Sequence, residues 1–468
     1  LTNNKNDRKY KANVRFRKHA FNIGSLIFCI SMGILLIISA LFWLRPKYSE
    51  SEKRNLASFP KFTLSSLFSG DYFDGINLWF SDTYPFRENL VKVSMTTKKL
   101  IGISDKISHY SETKNEKIPE AESQTQNVVN VTGIQENEVS STGSKDDLLS
   151  PALPSAEETT KSKSNGGKPI EQNLGSIYIY DNAGYEYYNF VKEKADKYAQ
   201  AVNSAANELK AKNINVYNML IPTSMDIKLS DDVRKKLNTS DQNEAINYIT
   251  SKLNGNVKPV MIYDLERAHK NEYTYFRTDH HWSALGAYYA YAQFCSVSGQ
   301  KYESLTKFTQ YKFDNFLGSF YNDSGKSSAL ESSPDTVFAY KPPYNVSFKM
   351  QEKGSSSYIE WPLICDASSY SSSYKYLCFI GGDNPISVAT NPSVTNGKKC
   401  VLVKESFGNA FAPYLTCNYQ TVYIIDYRYF SGDITQFAIE NGVNDVIIQN
   451  NISMTRNSDL ISLLSENL

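Results

Sequence analysis

The chain predicts an α/β protein: a parallel sheet flanked by helices, with a β-rich insertion, held outside a membrane by one apolar helix and a disordered linker. Three features of the 468 residues lead there. Strand-like and helix-like runs alternate from Gly175 onward and again after residue 400, a pattern that builds parallel sheets covered on both faces. One uncharged apolar run of 22 residues follows a basic tail. A long polar stretch with few aromatic residues separates the two.

Residues 1–22 form the tail, with Lys5, Arg8, Lys9, Lys11, Arg15, Arg17 and Lys18 against the single acid Asp7. Residues 23–44 follow without a charge. At about 1.5 Å rise they cross a hydrocarbon core of about 30 Å. The basic flank places the N-terminus in the cytoplasm and everything after Leu44 outside. A cleaved signal peptide is the competing reading, but the apolar core is long for one and "ISALFWLRPK" lacks a small-x-small cleavage site. The expected location is therefore the cell membrane, as a single-pass protein with an extracellular C-terminal domain.

Residues 45–102 read as an amphipathic, aromatic juxtamembrane module with a helix around Tyr72 to Asp82. Residues 103–174 are rich in Ser, Thr, Glu, Asn, Pro and Lys and bury too little apolar surface to offset chain entropy, which predicts a disordered linker. The extracellular domain is expected over 175–468. "SIYIY" reads as a strand. "VKEKADKYAQAVNSAANELKAKN" is helical, with Ala195, Tyr198, Val202, Ala206 and Leu209 on one side. "INVYNMLIP" is a buried strand, "DQNEAINYITSKL" a helix and "VKPVMIYD" a strand. "SALGAYYAYAQF" is a helix that Ser283 is placed to cap. Residues 303–374 lose the pattern and read as the β-rich insertion. Strand, turn and helix return in "CVLVKESFGNAFAPYL", then strand, helix and strand in "TVYIIDY", "ITQFAIENGV" and "DVIIQN".

Composition narrows the function. Fifty basic against 49 acidic residues argue against a nucleic-acid binder, which carries a strong basic excess. Aromatic residues make up 13% of the chain, enough for a large core and suited to a sugar-facing surface. Of six cysteines, Cys29 lies in the span; the other five show no CxxC and no metal-like spacing. One or two disulfides are compatible with an oxidising exterior, without the pairs being specified.

The chemistry-bearing residues lie in two places. Ser406 ends an apolar strand and precedes a helix near Phe407. Ligands in open α/β sheets bind at that edge, and helix-start N–H groups stabilise an oxyanion. Serine also favours plain N-caps, so Ser406 alone is ambiguous. "YFRTDHHWSALG" supplies what a serine nucleophile needs: a base, and an acid to fix its tautomer. On an extended segment Asp279 and His281 point the same way and His280 the other, with Trp282 as packing. A metal held by Asp279, His280 and His281 is the rival, weakened because His269 is the only other histidine of the folded region and no HExxH is present. No cofactor is expected.

These residues resemble a known family. "TDHHW" resembles the motif of the DHHW proteins of Gram-positive bacteria and is similar to the Asp-Thr-His-Trp segment of the SGNH-hydrolase-like alginate O-acetylation proteins. "KESFGNAFAPYL", with Glu405 where aspartate is usual, resembles the serine segment of that group; "VYIIDYRYF", "FIGGDNP" and "SGDYFDGINLWFSDTYPFRENL" resemble other segments. The order Asp279, His281, Ser406 is that of the group. The resemblance implies an SGNH-like acyl-transfer domain, an O-acetyltransferase or esterase acting on a cell-surface polysaccharide through an acyl-serine. It implies a membrane-bound O-acyltransferase (MBOAT) partner and a glycan substrate. Ser406, His281 and Asp279 are the expected catalytic residues. Gly382 and Asn384 are expected oxyanion donors beside the Ser406 N–H, unless Gly-Gly-Asp-Asn-Pro is only a tight turn. Arg428 is expected either to hold an anionic group or to pair with Asp426. The alternative function is a non-catalytic glycan-binding or scaffold module.

Overall fold

The computed structural model describes residues 177–353 and 355–468 continuously, with short segments and single positions between 45 and 173. The expected span, residues 23–44, lies outside the described residues. Among those described, no helix is long and apolar enough to cross a membrane. Residues 1–105 and 106–468 form two compact units. In the first, Ile76, Trp79 and Phe80 are helical. The Arg45 guanidinium lies 4.0 Å over the Trp79 ring and donates to Thr83 Oγ1 at 3.0 Å.

The second unit is built on an eight-stranded sheet. In chain order its strands are β1 (Asn215–Ile221), β2 (Val257–Pro259), β3 (Ser347–Gln351), β4 (Tyr358–Glu360), β5 (Ile386–Thr390), β6 (Lys399–Lys404), β7 (Thr421–Asp426) and β8 (Asp445–Asn451). They lie side by side as β4-β3-β5-β7-β6-β8-β1-β2. The run β7-β6-β8-β1-β2 is parallel, while β4, β3 and β5 continue the sheet antiparallel. The sheet is therefore mixed rather than purely parallel. Central strands β1, β6 and β8 are buried almost throughout and read as apolar runs. Strand β3 alternates buried with partly or fully exposed positions, the mark of an antiparallel strand covered on one face.

Two further expectations need correction. "SIYIY" does not enter the main sheet. Ile177–Tyr180 pairs with Ala183–Glu186 in a separate antiparallel hairpin, because Asp181 and Asn182 both take positive φ (50° and 61°) and turn the chain back. The expected insertion is β-rich only in part. Thr309–Phe316 and Asp335–Lys341 form their own two-stranded sheet, two short helices lie between them, and β3 and β4 belong to the main sheet.

Helices α1 (Lys192–Lys210), α2 (Gln242–Ser251), α3 (Ala284–Ser298), α4 (Gly408–Leu415) and α5 (Ile434–Glu440) follow the predicted order, and α6 (Ser458–Asn467), after β8, is an element the sequence reading did not include. Ala195, Tyr198, Val202, Ala206 and Leu209 of α1 are all buried. Ser283 caps α3, accepting from the Leu285 and Gly286 N–H groups, and Gly299 closes it in the left-handed conformation. Helix α3 is buried from Ala284 to Cys295 and packs on α4, with Tyr291 stacked on Tyr414 at 5.5 Å.

Short parts of the expected linker are among the described residues. Residues 116–121 and 126–131 lie in neither helix nor strand. The Gln126 amide donates to the Pro259 carbonyl and accepts from the Met261 N–H, covering the β2 edge. The buried Gln293 amide reads the strap in turn, through the Val129 N–H and the Asn127 carbonyl. Hydrogen bonds by side-chain amides, with burial of Val131, hold a stretch too polar to build a core of its own. The five cysteines of this unit are free thiols, and all but Cys417 are buried.

Candidate active site

The loop of the quoted motif is pinned at both ends. Tyr275 and Trp282 form an antiparallel bridge, and the Tyr275 hydroxyl donates to the Pro222 carbonyl just beyond β1. Buried Asp335 accepts from the N–H groups of Arg277 and Thr278 and from the Thr278 hydroxyl, at 2.6–3.0 Å. Burial raises the Asp335 carboxyl.

Within this loop the segment is a turn, not the extended strand expected. Asp279 Oδ1 accepts from the His281 N–H at 3.0 Å and faces His281 Nδ1 at 2.5 Å. The other oxygen accepts from the Ser319 N–H at 2.8 Å. Such an Asx-type turn brings acid and imidazole together more tightly than a pleat does. His280 does not point away: its ring centroid lies 3.9 Å from that of His281, and its Nδ1 is 2.6 Å from Ser319 Oγ. Burial, then the neighbouring His281, lowers the His280 pKa.

Ser406 sits between β6 and α4 at the carboxyl edge of the parallel strands. It does not cap the helix; Phe407 occupies that position, without a side-chain cap bond. Ser406 Oγ is 2.7 Å from His281 Nε2. The structure thus joins Asp279, His281 and Ser406 in one hydrogen-bonded chain across 125 residues of sequence. With Nδ1–H donating to the carboxylate, Nε2 is left as acceptor for the serine proton. The Ser406 N–H finds no acceptor among the described residues.

Trp282 does more than pack, donating from Nε1 to the Phe407 carbonyl at 2.9 Å and so tying the serine turn to the histidine loop. Glu405 braces the turn from beneath: Oε2 accepts from the Phe407 N–H at 3.1 Å and lies 3.2 Å from Ser406 Oγ, while Oε1 accepts from the Asn451 N–H at 2.9 Å. Burial raises its pKa.

The expected accessory residues have partners other than Ser406. The Gly382 N–H is spent on the Phe379 carbonyl, and its φ of +86° marks a tight turn, so it offers Ser406 no free donor. The Asn384 amide packs on Met350 Sδ at 3.1 Å. Arg428 pairs in a fork with Asp426 (2.8 and 2.7 Å) and reaches Asp383 at 2.9 Å. Lys404 completes this cluster, 2.9 Å from Asp426 and 3.0 Å from Asp383. Burial alone would raise the Asp383 carboxyl, but Lys404 and Arg428 hold it well below the usual range. Among the choices the sequence left for Arg428, structural pairing is the one observed.

Asp279, His280 and His281 each offer a ligand atom within 4.8 Å of the others. A metal there would have to displace the Asp279–His281–Ser406 hydrogen bonds, since both nitrogens of His281 are engaged.

Three participants carried no sequence signal. Tyr376 stacks on His281, with ring centroids 4.2 Å apart and planes 13° apart, and donates from its hydroxyl to the Ser406 carbonyl at 3.1 Å. Ser319 orients Asp279. Gly318 makes room for it: a Cβ there would stand 2.2 Å from Asp279 Cβ and Oδ2. Gly318→Ala should therefore push the carboxylate off His281 and cut activity by about 10-fold or more, while thermal unfolding still shows a folded domain. Wild-type turnover in that variant would mean the loop absorbs the methyl group without moving Asp279.

Residues 52–425 match the family model described as DHHW protein. No curated protein matches the chain. Among solved structures, a DHHW family protein from Eubacterium siraeum is 26% identical, with a TM-score of 0.58 over 64% of this chain and 99% of that one. PatB1 of Bacillus cereus is 20% identical, with a TM-score of 0.52 over 63% of this chain and 99% of its own. The same protein with a sulfonyl adduct gives 19% and 0.51, over 64% of this chain and 99% of its own. The likeness to PatB1 is one of fold.

Proposed function

The chain belongs to the DHHW protein family, and from that premise we propose that it is a serine-dependent, SGNH-like acyl-transfer enzyme. The observation that carries the reading is the unbroken Asp279–His281–Ser406 hydrogen-bonded chain at the carboxyl edge of the sheet. His281 Nε2 takes the proton as Ser406 Oγ attacks an acyl carbonyl; Asp279 holds the tautomer and balances the imidazolium. The Ser406 N–H receives the oxyanion. His281 then returns the proton to the leaving oxygen, and water or a glycan hydroxyl repeats the steps in reverse on the acyl-serine.

The finer reading rests on the motif resemblance and on the apolar run at 23–44. The acyl group is acetyl, the acceptor a cell-surface polysaccharide, and the domain is held outside the cell membrane by a single span, beside a membrane-bound O-acyltransferase that exports the acyl group.

Because PatB1 has been captured with a sulfonyl adduct, a reagent of that class provides the test. Phenylmethanesulfonyl fluoride should add one sulfonyl group to the full-length chain in detergent, on the Ser406 peptide, by mass spectrometry. Ser406→Ala and His281→Ala should stay unmodified. A wild-type chain that resists the reagent, while retaining glycan binding, would favour the non-catalytic module instead. Hydrolysis of a chromogenic acetyl ester, with and without an oligosaccharide acceptor, then separates esterase from transferase.

A further inference from the structure

We propose that Tyr376 is a positioning residue that stabilises the protonated form of His281, an inference that rests on the acyl-transfer reading. The ring lies flat on the imidazole at 4.2 Å with a 13° tilt. An aromatic face is electron-rich, so it attracts the imidazolium that forms when Ser406 gives up its proton. The same residue fixes the nucleophile, its hydroxyl donating to the Ser406 carbonyl. One side chain therefore sets both partners of the proton transfer.

The surrounding structure holds Tyr376 in that pose. Phe276 and Phe379 meet its ring edge-on at 6.1 and 5.3 Å. The ammonium of neighbouring Lys375 is buried among the carbonyls of Ala367, Ser368 and Tyr370 at 3.2–3.3 Å, which closes the loop that carries the tyrosine. An antiparallel bridge between Ile364 and Phe379 closes the same loop at its base.

The groups facing His281 come from three segments. Its own loop supplies Asp279 at Nδ1 and the tilted ring of His280. The serine turn supplies Ser406 Oγ, with Glu405 3.2 Å behind it, and the apolar ring of Phe407 at 5.0 Å. The third face is Tyr376. Burial first, then the charges of Asp279, Glu405 and Asp383, raise the pKa of the Tyr376 hydroxyl. All these groups stay unchanged when only position 376 is varied.

The test is the rate at which phenylmethanesulfonyl fluoride labels Ser406 in the full-length chain, measured against pH. That rate follows neutral His281 and needs no identified acceptor. Tyr376→Phe keeps the ring, and its inflection should stay within about 0.2 unit of wild type. Tyr376→Leu keeps apolar cover and loses the ring; its inflection should fall by about 0.5–1 unit and its plateau rate about 3- to 10-fold. Should Tyr376→Leu fail to fold, trifluorophenylalanine at position 376 has nearly the shape of Phe but a weaker negative face, and its inflection must lie below that of Tyr376→Phe. Inflections that coincide across ring, fluorinated ring and leucine would overturn the inference and leave Tyr376 a packing residue. Labelling absent from wild type, or undiminished in Ser406→Ala, would instead remove the acyl-serine reading on which it stands.

Discussion

Ser406→Ala should lower acyl turnover by about 10⁴-fold or more, and His281→Ala by a similar factor, because nucleophile and base act as one unit. Combining the two should cost little beyond either alone. The serine does not cap α4, and among the described residues its hydroxyl bonds only to His281 and Glu405. Its removal should thus leave stability within about 1 kcal/mol of wild type, so that lost turnover reports chemistry and not unfolding. Asp279→Asn should lose most of the rate too, because an amide can present the wrong group to Nδ1 and turn Nε2 from acceptor to donor. Steady-state hydrolysis of an acetyl ester by the purified variants, beside their melting curves, decides the matter. Activity in Ser406→Ala within 10-fold of wild type would sink the assignment.

Asp426→Ala should destabilise the domain by about 3–5 kcal/mol. Asp426 is fully buried and Lys404 is 1% exposed, and the carboxylate bonds Lys404 once and the Arg428 guanidinium twice. Without it, the buried Lys404 ammonium and the Arg428 guanidinium are left to share Asp383. Urea unfolding measures the loss; a change below 1 kcal/mol would mean that solvent enters and compensates the charges. Acid acts on the same cluster through Asp383. Its folded pKa is depressed, so its contribution is complete above the usual carboxylate range near about pH 4. It is lost only as pH falls through the folded value. Lys404 lies two residues before Ser406, so the same variant should also disturb the nucleophile.

Much of this was legible along the chain. The buried face of α1, the Ser283 cap, the central apolar strands and the Asp279–His281–Ser406 set all follow from period, capping chemistry and the needs of a serine nucleophile. Each is local, or rests on residue types that only one chemistry uses together. The direction of β3–β5 was not legible, because strands of three to five residues carry too little pattern to fix their pairing. Nor was the hairpin at Asp181–Asn182, whose signal is a backbone conformation that Asp and Asn permit but do not require.

The sequence by itself determined which residue types could do chemistry and in what order they come. Tertiary structure alone decided which atoms face one another. It spent the Gly382 N–H on the Phe379 carbonyl, set the Asn384 amide against Met350, locked Arg428 into a salt-bridge cluster, folded His280 against His281 and laid Tyr376 over the base. The physical reason is that periodicity encodes burial one element at a time. A hydrogen bond or a ring stack depends on distances of a few ångströms between segments that only the packed chain brings together.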